Sequence, residues 1–325
     1  MNLRLAPAIA AMALLVLVSG CANAVPVPKA APTPMPMDGM KMDDKAMDPA
    51  HMFDLKPTPG QGAVPAEMHL DGNVKVFELT TSVFDWEVSP GVHVQAMGFN
   101  HMVPGPTLRA TEGDTVRIVV HNELPEATSV HFHGLNVPFA MDGVAGLSQP
   151  PINPHETFTY EFKVTPAGTH WYHSHFDSTK QVSMGMYGTF IVDPKVPDPA
   201  KYDKDFVIML NDSGIGLSLN GKAFPATEPL LVKQGDRVRI RYVNAGAMVH
   251  PMHLHGHTVQ IIAEDGYPLE HPQDRDVITI APGETKDIAF VADNPGTWPL
   301  HCHILPHAEN EQGMIGMTTV LKYVS

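Results

Sequence analysis

GDTVRIVVHNELPEATSVHFHG, residues 113–134, aligns without a gap on GDRVRIRYVNAGAMVHPMHLHG, residues 235–256. Glycine, aspartate, valine, arginine, isoleucine, asparagine, two histidines and the closing glycine all match. The likeness continues downstream: GTHWYHSH (168–175) falls on GTWPLHCH (296–303), and PHETFTYEF (154–162) on PGETKDIAF (282–290). GMYG (185–188) falls on GMIG (313–316) in the same register. Two tandem copies of one domain are the economical explanation. TVRIVV (115–120) and TFTYEF (157–162) read as short strands punctuated by Gly-Asp, Asn and Pro. With 31 prolines, 26 glycines and few helical patterns, the chain is expected to be all-β.

The copies differ where chemistry concentrates. In HCHILPHAENEQGM (301–314), Cys302 lies between His301 and His303, and His307 and Gly313-Met314 follow. Two histidines, one cysteine and a long axial methionine form the ligand set of an electron-transfer copper. On a strand, alternation sends His301 and His303 to the face opposite Cys302. The first copy has Ser174 in place of Cys302, and Thr128 and Thr179 in place of His250 and His307, so it lacks that ligand set. It keeps its paired histidines. Four H-x-H pairs occur, at 131/133, 173/175, 253/255 and 301/303. A lone pair of this kind is more often surface or core than ligand. Eight imidazoles in duplicated positions are too many for one copper or zinc and suit a cluster of about three ions.

These motifs resemble those of the multicopper oxidases, the family of laccases, ascorbate oxidase and copper-tolerance oxidases. The resemblance covers about residues 67–325 and is greatest to two-domain, small-laccase-like members with the blue copper in the second domain only. It implies two cupredoxin domains, each a Greek-key β-sandwich or barrel, over 67–196 and 197–325, meeting in the proline-rich stretch 193–204. It implies a type 1 copper on His250, Cys302 and His307, with Met314 axial by the ungapped Gly-Met match and Met317 as fallback. His131 and His253 would hold the type 2 copper, and His133, His173, His175, His255, His301 and His303 the type 3 pair. That makes four coppers per subunit. Asp142 and Glu309 are candidate proton relays, although Asp142 in its Met-Asp-Gly setting also suits a plain turn. His170 and His257 are expected near the site without ligating.

The implied activity is one-electron oxidation of phenols, aromatic amines or Cu(I), coupled to four-electron reduction of O2 to water. A role in copper tolerance would follow. Because the eight cluster imidazoles divide evenly between the copies, the resemblance also implies a homotrimer with clusters between chains. Two rivals stand beside this reading. A copper nitrite reductase needs fewer histidines and carries its blue copper in the first domain. A copper-sequestering or electron-carrier lipoprotein has no use for a three-copper motif.

Net charge is −14 with no basic run, which argues against a nucleic-acid partner. Arg4, an apolar stretch over 5–18 and Val18-Ser19-Gly20-Cys21 resemble a lipoprotein signal over residues 1–20. The expected chain is exported and lipid-anchored in the cell envelope, facing the periplasm, or secreted if the segment is an ordinary signal peptide. Cys21 and Cys302 are the only cysteines, and neither sits in a structural disulfide context. Residues 21–66 read as a disordered Pro- and Met-rich tether. Met35, Met37, Met40, Met42, Met47 and Met52 cluster there with four aspartates and His51, and thioethers are ligands that favour Cu(I).

Overall fold

The structure, a computed structural model, describes residues 53–197 and 200–325. The signal segment, Cys21 and the methionine cluster lie outside the described residues. Each copy of the repeat folds as two packed β-sheets. In the first, Val74–Ser89 runs parallel to Thr115–Asn122, which is antiparallel to Thr157–Lys163. The facing sheet orders Gly105–Thr111, Tyr187–Asp193, Gly168–Ser174 and Val130–His133. Thr115–Asn122 buries every second residue, as its sequence alternation requires for a strand with one face on a core. Phe77, Leu79, Ile118, Phe132, Tyr172 and Phe190 fill the space between the sheets. Each such side chain, fully buried, contributes about 1.5–3 kcal/mol.

The second copy repeats these pairings and adds strands of its own. Lys204–Asn211 is parallel to Arg237–Asn244, which is antiparallel to Thr285–Val291. Opposite them, Leu230–Val232, Thr318–Tyr323, Thr297–Cys302, His250–Leu254 and an added edge strand, Val277–Ile280, form the other sheet. Its core is separate and includes Cys302 and Met317. This is the two-domain cupredoxin architecture.

A third cluster, with Trp86, Val103, Trp171, Tyr187, Met209 and Val243, seals the seam between the halves. Polar ties cross it as well. The Trp86 indole donates to Gly221 O at 2.6 Å, and Arg241 Nη1 donates to Thr169 Oγ1 at 2.5 Å while pairing with Asp287 at 3.1 Å.

Residues 53–66 depart from the expected free tether. Phe53 packs edge-on against Phe224 at 6.5 Å, Lys56 N donates to Pro225 O, and Ala63 and Ala66 donate to Pro104 O and Thr107 O. The reason is Lys222, whose buried ammonium needs oxygens. It finds Thr58 Oγ1, Pro59 O and Glu87 O within 2.9 Å and lies 4.0 Å from the Trp86 ring. A composition poor in β-branched residues gave no sign of this anchoring, because the partner lies 164 positions away.

Candidate metal centre

Cys302 ends its strand with its side chain turned into the core, fully buried. His250 Nδ1 lies 3.7 Å and His307 Nδ1 3.8 Å from its Sγ, and the three ligand atoms fall within 4.8 Å of one another. One carboxylate holds this trio that the sequence reading missed. Asp212, with 2% of its side chain exposed, lies 3.0 Å from His250 Nε2 through Oδ2. It also accepts from Ala247 N, Met248 N and Ser213 Oγ at 2.7–2.9 Å. Burial alone would raise the Asp212 carboxyl. The hydrogen bonds from His250, Ala247, Ser213 and Met248 outweigh it and hold the group far below its ordinary range. An ionised acceptor fixes the proton of His250 on Nε2 and leaves the Nδ1 lone pair facing Cys302. Burial pushes the Cys302 thiol up and His307 down. A cation placed between them would reverse the thiol's preference, since a coordinating thiol is deprotonated.

On the opposite face of the same strand stand His301 and, one residue past its end, His303, as alternation predicts. With His253 and His255 they form a quartet whose rings lie 4.7–5.9 Å apart. The ladder sets His253 directly opposite His301. The first half repeats this, with His131 opposite His173, and rings of His131, His133, His173 and His175 spaced 5.3–6.1 Å. Carbonyls orient the imidazoles in matching fashion. His131 Nδ1 donates to Asp142 O and His253 Nδ1 to Asp276 O; His173 donates to Ser174 O and His301 to Cys302 O, all at 2.7–3.0 Å. Each ring therefore keeps its Nε2 lone pair for a metal. His255 Nε2 and His301 Nε2 converge to 3.1 Å, which suits two ligands of one cluster rather than a structural contact. Burial lowers His133, His255 and His301 and takes His173 down to about 3, with neighbouring imidazoles adding to the effect. These four rings are thus neutral at pH 7, the state that ligates. Among the described residues, no ring of one quartet contacts a ring of the other. Each half presents one quartet.

Asp142 lies beside His131, its Oδ1 3.4 Å from Nδ1. Gly143 pins this loop, because at φ +83° any Cβ would fall 1.8 Å from Val130 O. Glu309 is exposed and pairs with Met314 in a two-residue ladder, near enough to His301 to act on its charge. His257 donates to His255 O and binds Tyr323 Oη, and His170 is tied to Pro166 O; both rings are committed away from the quartets.

The ungapped Gly-Met alignment does not survive the ladder. Ser174 N donates to Met186 O and Cys302 N to Met317 O; Met186 N donates to Gln181 O and Met317 N to His307 O. Met317 is therefore the counterpart of Met186, and Gln181, not the exposed Thr179, is the counterpart of His307. Ser174 to Gln181 is 7 positions against 5 for Cys302 to His307, and Gln181 to Met186 is 5 against 10 for His307 to Met317, so the second copy is two residues shorter before His307 and five longer after it, where the Glu309–Met314 hairpin stands. Met317 is fully buried with Cys302, and Met314 is partly exposed.

Two family models, both described as multicopper oxidase, match residues 81–197 and 193–322. Copper resistance protein A of Escherichia coli is 48% identical over 122 residues, 38% of this chain and 20% of that protein. Copper resistance protein A of Pseudomonas syringae pv. tomato is 32% identical over 258 residues, 59% of this chain and 42% of that protein. The chain thus spans less than half the length of these relatives. Among solved structures, the blue copper oxidase from Nitrosomonas europaea superposes with a TM-score of 0.72 at 36% identity, covering 76% of this chain and 85% of that one.

Proposed function

The chain belongs to the multicopper oxidase family, and on that premise we propose that it couples one-electron oxidation of a reductant to reduction of O2 to water. The observation that carries this is the Cys302 strand, which points a thiol at two imidazoles on one face and His301 and His303 at a histidine quartet on the other. His250, Cys302 and His307 would hold the type 1 copper, with Met317 axial in preference to Met314. His131 and His253 would hold type 2; His133, His173, His175, His255, His301 and His303 would hold the type 3 pair, four coppers per chain. Copper bound there supplies the single-electron steps and the four-electron reduction. The protein's part is to orient these imidazoles through carbonyls, hold the His133, His173, His255 and His301 rings neutral by burial, and join the two sites by the few covalent bonds between Cys302 and its neighbours. Asp142, partly exposed beside His131, is placed to pass protons inward. The nitrite reductase rival fits neither the eight imidazoles nor the second-half thiol.

Since the quartets do not meet within the chain, the first half of one copy meets the second half of the next. Such a heterologous contact closes into a ring, read here as a trimer. Light scattering with copper counting on one sample tests it, and a monomer with four coppers and full activity would refute it. Cu(I) is the favoured reductant. The relatives named copper resistance protein A support it, and so does the sequence of Met35–Met52, whose thioethers favour Cu(I). The N-terminal sequence supports a place in the cell envelope, anchored through Cys21 if that signal is a lipoprotein's. Turnover with Cu(I) and with a dimethoxyphenol, before and after deletion of Met35–Met52, tests the reading. Selective loss of Cu(I) turnover is expected; equal loss on both would contradict it.

A further inference from the structure

In the second half, His250, Cys302 and His307 surround the place of an ion. The first half builds the same pocket without those ligands. Thr128 stands for His250, Ser174 for Cys302 and Gln181 for His307, by the strand register and the matching bonds to Met186 and Met317. All three are fully buried. Gln181 Oε1 accepts from Ser174 Oγ at 2.5 Å and Thr128 Oγ1 at 2.9 Å. Its Nε2 donates to Glu126 Oε1 and Ala127 O, both at 2.8 Å. Every hydrogen-bonding position of the carboxamide is used, and the amide bridges the same two strand ends that an ion would bridge in the other half.

Those strand ends carry cluster ligands. Ser174 lies between His173 and His175, its carbonyl accepts from His173 Nδ1 at 2.9 Å, and His175 N donates to Ser129 O, next to Thr128. We propose that Gln181 is a positioning residue for the first quartet: its carboxamide replaces the ion as the cross-link that aims His173 and His175. The proposal rests on the reading that the quartets bind copper. The alternative is that Gln181 merely fills the core.

Gln181→Met keeps the volume and removes all four hydrogen bonds. The full-length chain and this variant are titrated with copper, reading metal per chain, the blue thiolate band and the cluster's spectroscopic signature; the apoprotein melting temperature is measured in parallel. The expected result is an unchanged blue band, with half-loading of the cluster needing about 10–100-fold more copper, the usual effect of losing an outer-shell partner. Thr128→Val removes one hydroxyl at constant shape and should weaken cluster loading in the same selective way, deciding the matter should Gln181→Met fail to fold. Cluster loading equal to wild type in either folded variant overturns the proposal and leaves the oxidase reading standing. Parallel loss of the blue band, cluster and melting temperature also overturns it, leaving Gln181 a packing residue. A wild-type chain that takes up no cluster copper overturns both.

Discussion

Replacing Asp212 by asparagine tests whether the type 1 trio is organised before any metal arrives. The carboxylate accepts four hydrogen bonds, from Ala247 N and Ser213 Oγ on Oδ1 and from Met248 N and His250 on Oδ2. Asparagine has one oxygen. With the amide nitrogen at Oδ1, Ser213 can turn to accept, but the Ala247 N–H faces a donor. With it at Oδ2, the Met248 N–H is stranded, and His250 must shift its proton onto Nδ1, the ligating nitrogen. One orphaned backbone N–H costs about 1–3 kcal/mol, here about 1 because Ala247 and Met248 are exposed. Converting the remaining bonds from an ionised to a neutral acceptor costs roughly 0.5 kcal/mol each. The sum is about 2–3 kcal/mol, or roughly 5–10 °C of melting temperature for a domain pair of this size. Thermal and urea unfolding of the copper-free protein at pH 7 measure it. The depressed carboxyl contributes its full stability above its ordinary value of 3.8 and loses it progressively as pH falls further, so the gap between wild type and variant should begin to close only below about pH 4. An apoprotein within about 0.5 kcal/mol of wild type at pH 7 would refute the reasoning.

Cys302→Ser should abolish the thiolate-to-copper absorption and the oxidase activity while leaving the fold intact, since the first half carries Ser174 at this place; a variant that stays blue would remove the thiol from the site. Met317→Leu should leave the copper-loaded protein blue and raise its reduction potential, and Met314→Leu should do neither; the reverse pattern in redox titration would restore the Gly-Met alignment. Burial holds His170 at about 4 and His173 at about 3 against an ordinary 6.5. The unfolded chain takes up these protons first, so the two rings' contribution to apoprotein stability should be constant above pH 6.5 and fall steadily from there towards pH 4; a melting temperature constant between pH 6.5 and pH 4 would contradict the burial of these rings.

Much of the site was legible because the chain says it twice. The register of 113–134 on 235–256 gives the fold, and the substitution of Cys302 by Ser174 gives the asymmetry. Strand alternation around Cys302 gives the two faces. What the sequence hid are contacts between distant segments. Asp212 reaches His250 across 38 positions with nothing in its own surroundings to mark it. Lys222 captures the Thr58-Pro59 segment from another domain. The alignment failed at Met314 because an ungapped match favours the nearer of two Gly-Met pairs. Only the ladder, which puts Met317 beside Cys302, reveals the inserted hairpin. Gln181 was invisible for the same reason, since the residue that aligned with His307 was Thr179.

We propose a four-electron reduction of dioxygen by the two quartets and the Cys302 trio acting together. Its most direct test is stoichiometric: a known amount of Cu(I) or phenol is supplied to the copper-loaded chain in a closed oxygen electrode, with a peroxide assay on the same solution. One O2 should be consumed for every four electrons delivered, with no hydrogen peroxide formed. One O2 for every two electrons with peroxide accumulating, or no uptake by a fully loaded protein, would contradict it.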